Sequence, residues 1–257
     1  MPYVDNQGIK IHYVVEGQGP PIVMIHASMG SYREWYGPDY IDALKNDYTL
    51  ILPDLRGHGE SDRPHEAKFY STKDFTSDII TVLDSLGITK AHCWGYSMGG
   101  NIAFWLSQYY PERFLSFIIG GAFPQAYTGD ALKRHLRVKD LILKNGADGL
   151  ITYVKERGDE MTPEGEKHLR SMDYDAIKAW ISSEDLNNRV DAHLPELETP
   201  FLFYAGERDE WGPYPHLVEI CEKMKDAKVI LFPDVGHDVH YRKGLVLPYI
   251  EEFLQNV

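Results

Sequence analysis

The chain is poor in the features that mark most specialised protein classes. It has two cysteines, Cys93 and Cys221, far apart and outside any metal-ligand spacing. That excludes a disulfide scaffold or a cysteine-held metal and suits buried thiols in a reducing compartment. It lacks any apolar stretch approaching about 18 residues, so nothing in it reads as a membrane span. Its first residues, Met1 to Asn6, show no basic segment followed by an apolar run, so no signal peptide is expected and the cytoplasm is the expected location. Positive charge is scarce as well: 26 Lys+Arg stand against 39 Asp+Glu, a formal net charge of −13. Nucleic acids and anionic membranes are held through clustered Lys and Arg, so neither is expected as a partner. The one dense basic stretch, Lys133 to Arg137, carries apolar residues at helical spacing and reads as a solvated helix face.

What remains is an ordinary globular composition, 43% hydrophobic and 25% charged over 257 residues, long enough for a sizeable core in one large domain or two small ones. Tyr3-Val4 and Ile9 to Val15 flank Asp5-Asn6-Gln7-Gly8, the pattern of a hairpin. Short continuous apolar runs follow: Ile22 to Ile25, Tyr48 to Pro53, Ala91 to Gly95, Phe114 to Gly120, Phe201 to Ala205 and Val229 to Phe232. Runs apolar on both faces belong to strands buried in a parallel sheet, with helices as crossovers. Helices are expected over Asp74 to Leu86, ending at Gly87, and over Met98 to Tyr110, ending before Pro111. Between Ala122 and Leu194 no strand is legible. Leu132 to Asn145, Leu150 to Arg157, Pro163 to Met172 and Ala176 to Ser183 read as helices, Thr162 being an N-cap before a proline at N1. The expected division is therefore a core of residues 1–121 and 195–257 with a helical cap, 122–194, inserted before the last two strands.

The chemistry-bearing pattern is Gly95-Tyr96-Ser97-Met98-Gly99, which follows a buried run and precedes a helix, the context in which a Gly-x-Ser-x-Gly elbow presents a serine nucleophile. A serine hydroxyl needs a base. Of eleven histidines, His237 is chosen because it follows the last buried run and Pro233-Asp234-Val235-Gly236, on a loop at a strand's carboxyl end, with His240 its main competitor. The base needs a carboxylate to fix its tautomer. The loop after Phe201 to Ala205 offers Glu207, Asp209 and Glu210; Asp209 is preferred and the two glutamates are expected to be solvated. The loop after Phe114 to Gly120 holds no acid. A developing oxyanion needs backbone donors, assigned to the N–H groups of Met98 and, on the loop His26-Ala27-Ser28-Met29-Gly30, of Ser28.

With these residues the chain resembles the α/β-hydrolase fold superfamily over essentially its whole length, in the branch of small capped carboxylesterases. The chain order Ser97, Asp209, His237 is that of this fold. Asp54-Leu55-Arg56-Gly57-His58-Gly59 is similar to the family's loop after the next strand, which implies structural roles for Arg56 and His58. One departure is His26-Ala27, where the family usually has His-Gly and alanine narrows the backbone's freedom. Epoxide hydrolases and haloalkane dehalogenases of the fold use aspartate at the elbow, and cofactor-free perhydrolases usually carry proline in the oxyanion loop, so the resemblance disfavours those activities. It implies hydrolysis of neutral short- to medium-chain carboxylic esters, small-molecule substrates, through an acyl-enzyme that needs no metal or organic cofactor, in a monomer or homodimer. Tyr127, Tyr153, Met161, Met172 and Trp180 are candidates to line an apolar pocket. Other serine-hydrolase chemistries on the same triad (carbon-carbon bond hydrolase, lactonase, thioesterase) and a ligand-sensing protein without turnover remain the alternatives.

Overall fold

Gln7 and Gly8 both hold positive φ, 57° and 87°, the backbone of a tight hairpin turn, and Gly8 N donates to Asp5 Oδ1 at 3.0 Å. That reversal opens the computed structural model, which describes residues 2–125, 127–157, 161–183, 190–212, 214–242 and 244–257. The strands are β1 (Tyr3–Asn6), β2 (Ile9–Gly17), β3 (Pro21–Ile25), β4 (Thr49–Pro53), β5 (Ala91–Tyr96), β6 (Phe114–Gly120), β7 (Phe201–Gly206) and β8 (Ala227–Phe232). They form one sheet in the order β1-β2-β4-β3-β5-β6-β7-β8. The pairs β1·β2 and β2·β4 are antiparallel and the others parallel. This is the α/β architecture expected from the apolar runs.

Every residue of β5 and β7 is buried, as continuous apolar runs require in the middle of a doubly covered sheet. The expectation that Val229 to Phe232 is a buried run needs correction. β8 is an edge strand with a neighbour on one side only, and of its residues only Phe232 is fully buried.

Helices α1 (Tyr40–Leu44), α2 (Thr72–Ser85) and α3 (Met98–Tyr109) precede β6. The helices α4 (Gly129–Asn145), α5 (Ala147–Glu156), α6 (Pro163–Arg170) and α7 (Tyr174–Ser183) lie between β6 and β7, and α8 (Tyr214–Cys221) and α9 (Leu247–Leu254) follow. α2 begins earlier than Asp74 because Ser71 is its N-cap: Ser71 Oγ accepts from Asp74 N and the Asp74 carboxylate from Ser71 N, a closed capping box that makes Asp74 the third helical residue. Thr162 caps α6 by accepting from Gly165 N at 3.0 Å. Of the helices between β6 and β7, α4, α5 and α7 share a small cluster built on Leu141, Ile142, Leu150, Tyr153, Ile177 and Ile181, with Leu169 of α6 packed against it. Within the expected cap range, residues 126, 158–160 and 184–189 lie outside the described residues. Among the described residues, no helix is long and apolar enough to cross a membrane.

The loop after β4 is pinned by buried charge. Arg56 donates through Nε and Nη2 to both oxygens of Asp78 on α2, at 2.6 and 2.7 Å, and through Nη1 to Phe69 O at 2.5 Å. Both side chains are almost fully excluded from solvent, so each depends on the other for its missing water. Replacing Asp78 by Ala leaves the guanidinium only the more distant Asp74 carboxylate, 3.4 Å from Nη1, and is expected to cost about 3 kcal/mol of unfolding free energy, read from urea denaturation. A loss under about 1 kcal/mol would show that the pair does not hold this loop.

Candidate active site

Parallel register brings the carboxyl ends of the central strands level. Ile25 of β3 pairs with Gly95 of β5, Tyr96 with Gly120 of β6, Gly120 with Tyr204 of β7, and Gly206 with Phe232 of β8. The loops leaving these ends therefore emerge side by side, where an open α/β sheet builds its sites. Ser97, Asp209, His237 and Ser28 all sit on them.

The serine stands at a sharp turn. Ser97 has φ 52° and ψ −113°, a conformation that residues with side chains rarely adopt. Its N–H donates to Gly120 O at 2.8 Å, and its carbonyl accepts from Asn101 N at 3.0 Å. A Cβ on Gly95 would collide with the Gly99 carbonyl, one on Gly99 with the Ile25 carbonyl, and one on Gly100 with the Ala122 methyl. The glycines let β5, α3 and β3 approach closely enough to hold the turn.

Three of the expected residues come together as a chain of hydrogen bonds. His237 Nε2 lies 2.9 Å from Ser97 Oγ, and His237 Nδ1 lies 2.8 Å from Asp209 Oδ2. With the carboxylate accepting, Nδ1 carries the proton and Nε2 is free to accept from the serine, a tautomer assigned from the network. The Asp209 side chain is fully buried and its second oxygen accepts from Trp211 N at 2.9 Å. His237 keeps 24% of its side chain exposed. The loops bearing Asp209 and His237 are stitched together: Glu207 N donates to Phe232 O and Arg208 N to Val235 O, at 3.0 and 2.8 Å. The Tyr96 hydroxyl donates to His237 O.

His240, the competing base, is elsewhere. It is fully buried, stacks on Tyr96 at 4.2 Å between centroids, and has its Nδ1 2.9 Å from the Tyr204 hydroxyl. Burial and the nearby His237 push its imidazole down to about 3. The expected solvation of Glu210 also needs correction. Its carboxylate is ion-paired with Arg157 at 2.6 Å and Arg134 at 3.4 Å, which ties α4 and the end of α5 to the loop bearing Asp209. The basic stretch is accordingly only half a solvated face: Lys133 and Arg137 point outward to Asp130 and Glu156, while Arg134 faces Glu210 and His135 lines a cavity.

That cavity, about 560 Å³, opens onto Ser97 and His237 and is bordered by Ser28 and Met98. Ser97, Asn101, Trp105 and Tyr109 all line it. Their spacing of four makes one stripe along α3, which spans about 18 Å at the α-helical rise. At the far end Thr72 Oγ1 lies 3.2 Å from the Tyr109 hydroxyl. Of the proposed pocket residues, Tyr127 and Trp180 line the cavity. Tyr153 and Met172 pack into the cluster shared by the helices between β6 and β7, and Met161 is not among the lining residues. The stripe on α3 was missed because a helix apolar nearly all round gives no sign of which side faces a cavity; the four-residue spacing from Ser97 is the signal that could have found it. Among the described residues, no group of three or more His, Cys, Asp and Glu is placed to hold a metal.

On the loop after β3 the departure from His-Gly has a simple resolution. Ala27 does not take positive φ; the left-handed residue is Met29, at φ 60°. His26 Nδ1 donates to Ala27 O at 2.7 Å, and His26 Nε2 accepts from Leu55 N at 3.1 Å, so one neutral imidazole locks this loop to the one after β4.

A family model described as "alpha/beta hydrolase fold" matches residues 20–148. The chain belongs to the α/β-hydrolase fold family. Over 287 residues this α/β-hydrolase is 26% identical to a cis-3-alkyl-4-alkyloxetan-2-one decarboxylase of Shewanella oneidensis, covering 98% of this chain and 87% of the relative. Among solved structures it is similar to an enol-lactonase from Burkholderia xenovorans LB400 (TM-score 0.80, 20% identity, 99% and 100% of the two chains covered). It is also similar to a thermophilic esterase from Thermogutta terrifontis (TM-score 0.77, 22% identity, 99% and 98% covered).

The histidines beneath this α/β-hydrolase's site make a pH dependence of stability. Burial pushes His26 down to about 4 and His58 down to about 3, as it does His240. The unfolded chain takes up protons at these positions near pH 6.5 and the folded chain does not until far lower. Stability from these groups is therefore present above pH 6.5 and lost as pH falls toward 4. Glu34, pushed up to about 7 by burial, acts in the opposite sense, but it is one group against three. Urea midpoints are expected to fall between pH 6.5 and 4.5, and His58→Gln to flatten that slope by up to about 1.4 kcal/mol per pH unit. An unchanged slope in the variant would show that His58 is not held neutral.

Proposed function

We propose that the protein is a serine carboxylic-ester hydrolase acting on neutral short- to medium-chain esters. The observation that carries this reading is the pair of contacts on His237, 2.9 Å to Ser97 Oγ and 2.8 Å to Asp209 Oδ2, opening onto the cavity. Ser97 attacks the acyl carbon as His237 takes its proton. Asp209 stabilises the imidazolium, and the N–H groups of Met98 and Ser28 receive the oxyanion. His237 then returns the proton to the leaving alcohol. Water, activated by the same histidine, releases the acid from the acyl-enzyme.

The helices between β6 and β7 act as a cap over the strand ends, with Arg134 and Arg157 latching it to Glu210 beside the catalytic acid. Substrate size follows from the cavity. Phe75, Phe104, Trp105, Val190 and Ile181 line it, a wall that rewards apolar surface. The esterase and enol-lactonase among the structural neighbours support the fold on which this chemistry runs, and a decarboxylase among the relatives shows that the fold alone does not fix the bond cleaved.

Ser97→Ala is expected to lower kcat on p-nitrophenyl esters by about 10⁴-fold or more while the protein stays folded. His237→Ala should be comparably damaging and His240→Ala much less so; the reverse ranking assigns the base to the wrong histidine. In a p-nitrophenyl ester series, kcat/KM is expected to rise by about two- to fourfold per added CH₂ from acetate to octanoate, and less steeply in Trp105→Ala. If acetate is the best substrate and rates decline with length, the stripe along α3 does not receive the acyl chain. No multiple turnover on any activated acyl substrate abandons the esterase reading for a ligand sensor.

A further inference from the structure

Glu34 follows the β3 loop in sequence, on a short 3₁₀ helix, Tyr32–Tyr36, yet its carboxyl turns inward. Its side chain is 7% exposed. Both oxygens face the amide of Ala27, at 3.2 and 3.4 Å, directly before Ser28. A Cβ on Gly30 would strike the same carboxyl, so the loop curls around it. His240 Nε2, buried and without a hydrogen-bond partner among the described residues, lies 4.0 Å away.

We propose that Glu34 is a positioning residue: its carboxylate holds the Ala27 amide, and through it the Ser28 N–H, in the orientation that receives the oxyanion. The inference rests on the ester-hydrolase reading. Its physical basis is the strength of the anchor. An ionised acceptor makes a hydrogen bond about twice as strong as a neutral one, so the loop is held firmly when Glu34 is charged and loosely when it is protonated.

The groups around Glu34 decide when that happens. His26 lies beside Gly30 on the same loop; His237, His240 and Tyr241 face it from the segment after β8; Tyr96 on β5 and Tyr204 on β7 sense its charge from the sheet. His26 and His240 are neutral by burial and give it no cationic partner. Burial pushes the carboxyl up to about 7, against the Ala27 bond, the Tyr241 hydroxyl and the charge of His237, which hold it down. Glu34 thus changes charge near neutral pH, and the oxyanion loop is held less firmly as pH falls through that range.

The test measures kcat and KM from pH 5 to 8.5 on p-nitrophenyl butyrate for wild type, Glu34→Gln, Glu34→Ala and Ser97→Ala. The ratio of wild-type to Glu34→Gln kcat/KM is expected to fall from about tenfold at pH 8.5 to near 1 at pH 5, because the neutral amide accepts from Ala27 as the protonated acid does and does not titrate. Glu34→Ala lowers plateau kcat by about 10- to 100-fold, with KM little changed, the mark of a misplaced oxyanion donor. A ratio that does not change with pH, or that stays near 1 throughout, overturns the proposal even if Glu34→Ala fails to fold. Turnover retained by Ser97→Ala is a different failure: it removes the ester-hydrolase reading and this inference with it.

Discussion

The backbone of Ser97 is bent into a conformation, φ 52° and ψ −113°, that costs on the order of 1–3 kcal/mol, and the rest of the site is arranged around keeping it there. The restraint comes from crowding. The carbonyls of Ile25 and Gly99 sit where side chains at 99 and 95 would otherwise be, and the Ser97 amide is pinned to Gly120 on the neighbouring strand. Relaxing the turn would mean separating β3, β5 and α3, which share the central core with Ile25, Cys93 and Ile102, all fully buried. A local strain is thus held by packing that only a folded parallel sheet supplies.

The same sheet fixes the partners. Because neighbouring parallel strands end in register, short loops suffice to bring Asp209 and His237 to the serine, and the bonds from Glu207 to Phe232 at the end of β8 and from Arg208 to Val235 just beyond it keep those two loops from moving apart. Beneath them lies a buried polar layer. Trp94 Nε1 donates to the Tyr204 hydroxyl at 3.1 Å, which meets His240 Nδ1, and the Tyr40 hydroxyl donates to His240 O at 2.7 Å. Such a layer is costly if broken and rigid when satisfied. It supports the chain at His240, three residues past His237, while Tyr96 holds the His237 carbonyl itself.

The sheet was legible in the sequence wherever a strand is covered on both faces: Phe114–Gly120 reads the same in sequence and structure. β8 was legible as a strand but not as an edge, because Val229 and Leu231 look equally apolar whether or not a neighbour covers them. At the site, residues announced themselves when they followed a strand end, as Ser97, Asp209 and His237 do. Residues whose role depends on distant partners did not. Arg134 and Glu210 are 76 positions apart, and no local pattern pairs them. Glu34 reads as one more surface acid in a chain with 39 of them; only the curl of the loop around it shows it to be buried. Trp105 and Tyr109 look like core on a helix apolar nearly all round, and the cavity beside them is a product of how the helices between β6 and β7 pack.

The central claim is that Ser97 is a nucleophile made reactive by His237. It is tested most directly by treating the protein with a fluorophosphonate, which phosphonylates activated serines, and locating the adduct by peptide mass mapping. The account predicts a single stoichiometric adduct on Ser97 in wild type and almost none in a folded His237→Ala variant. An adduct on another serine, or equal labelling of Ser97 without the histidine, would contradict it.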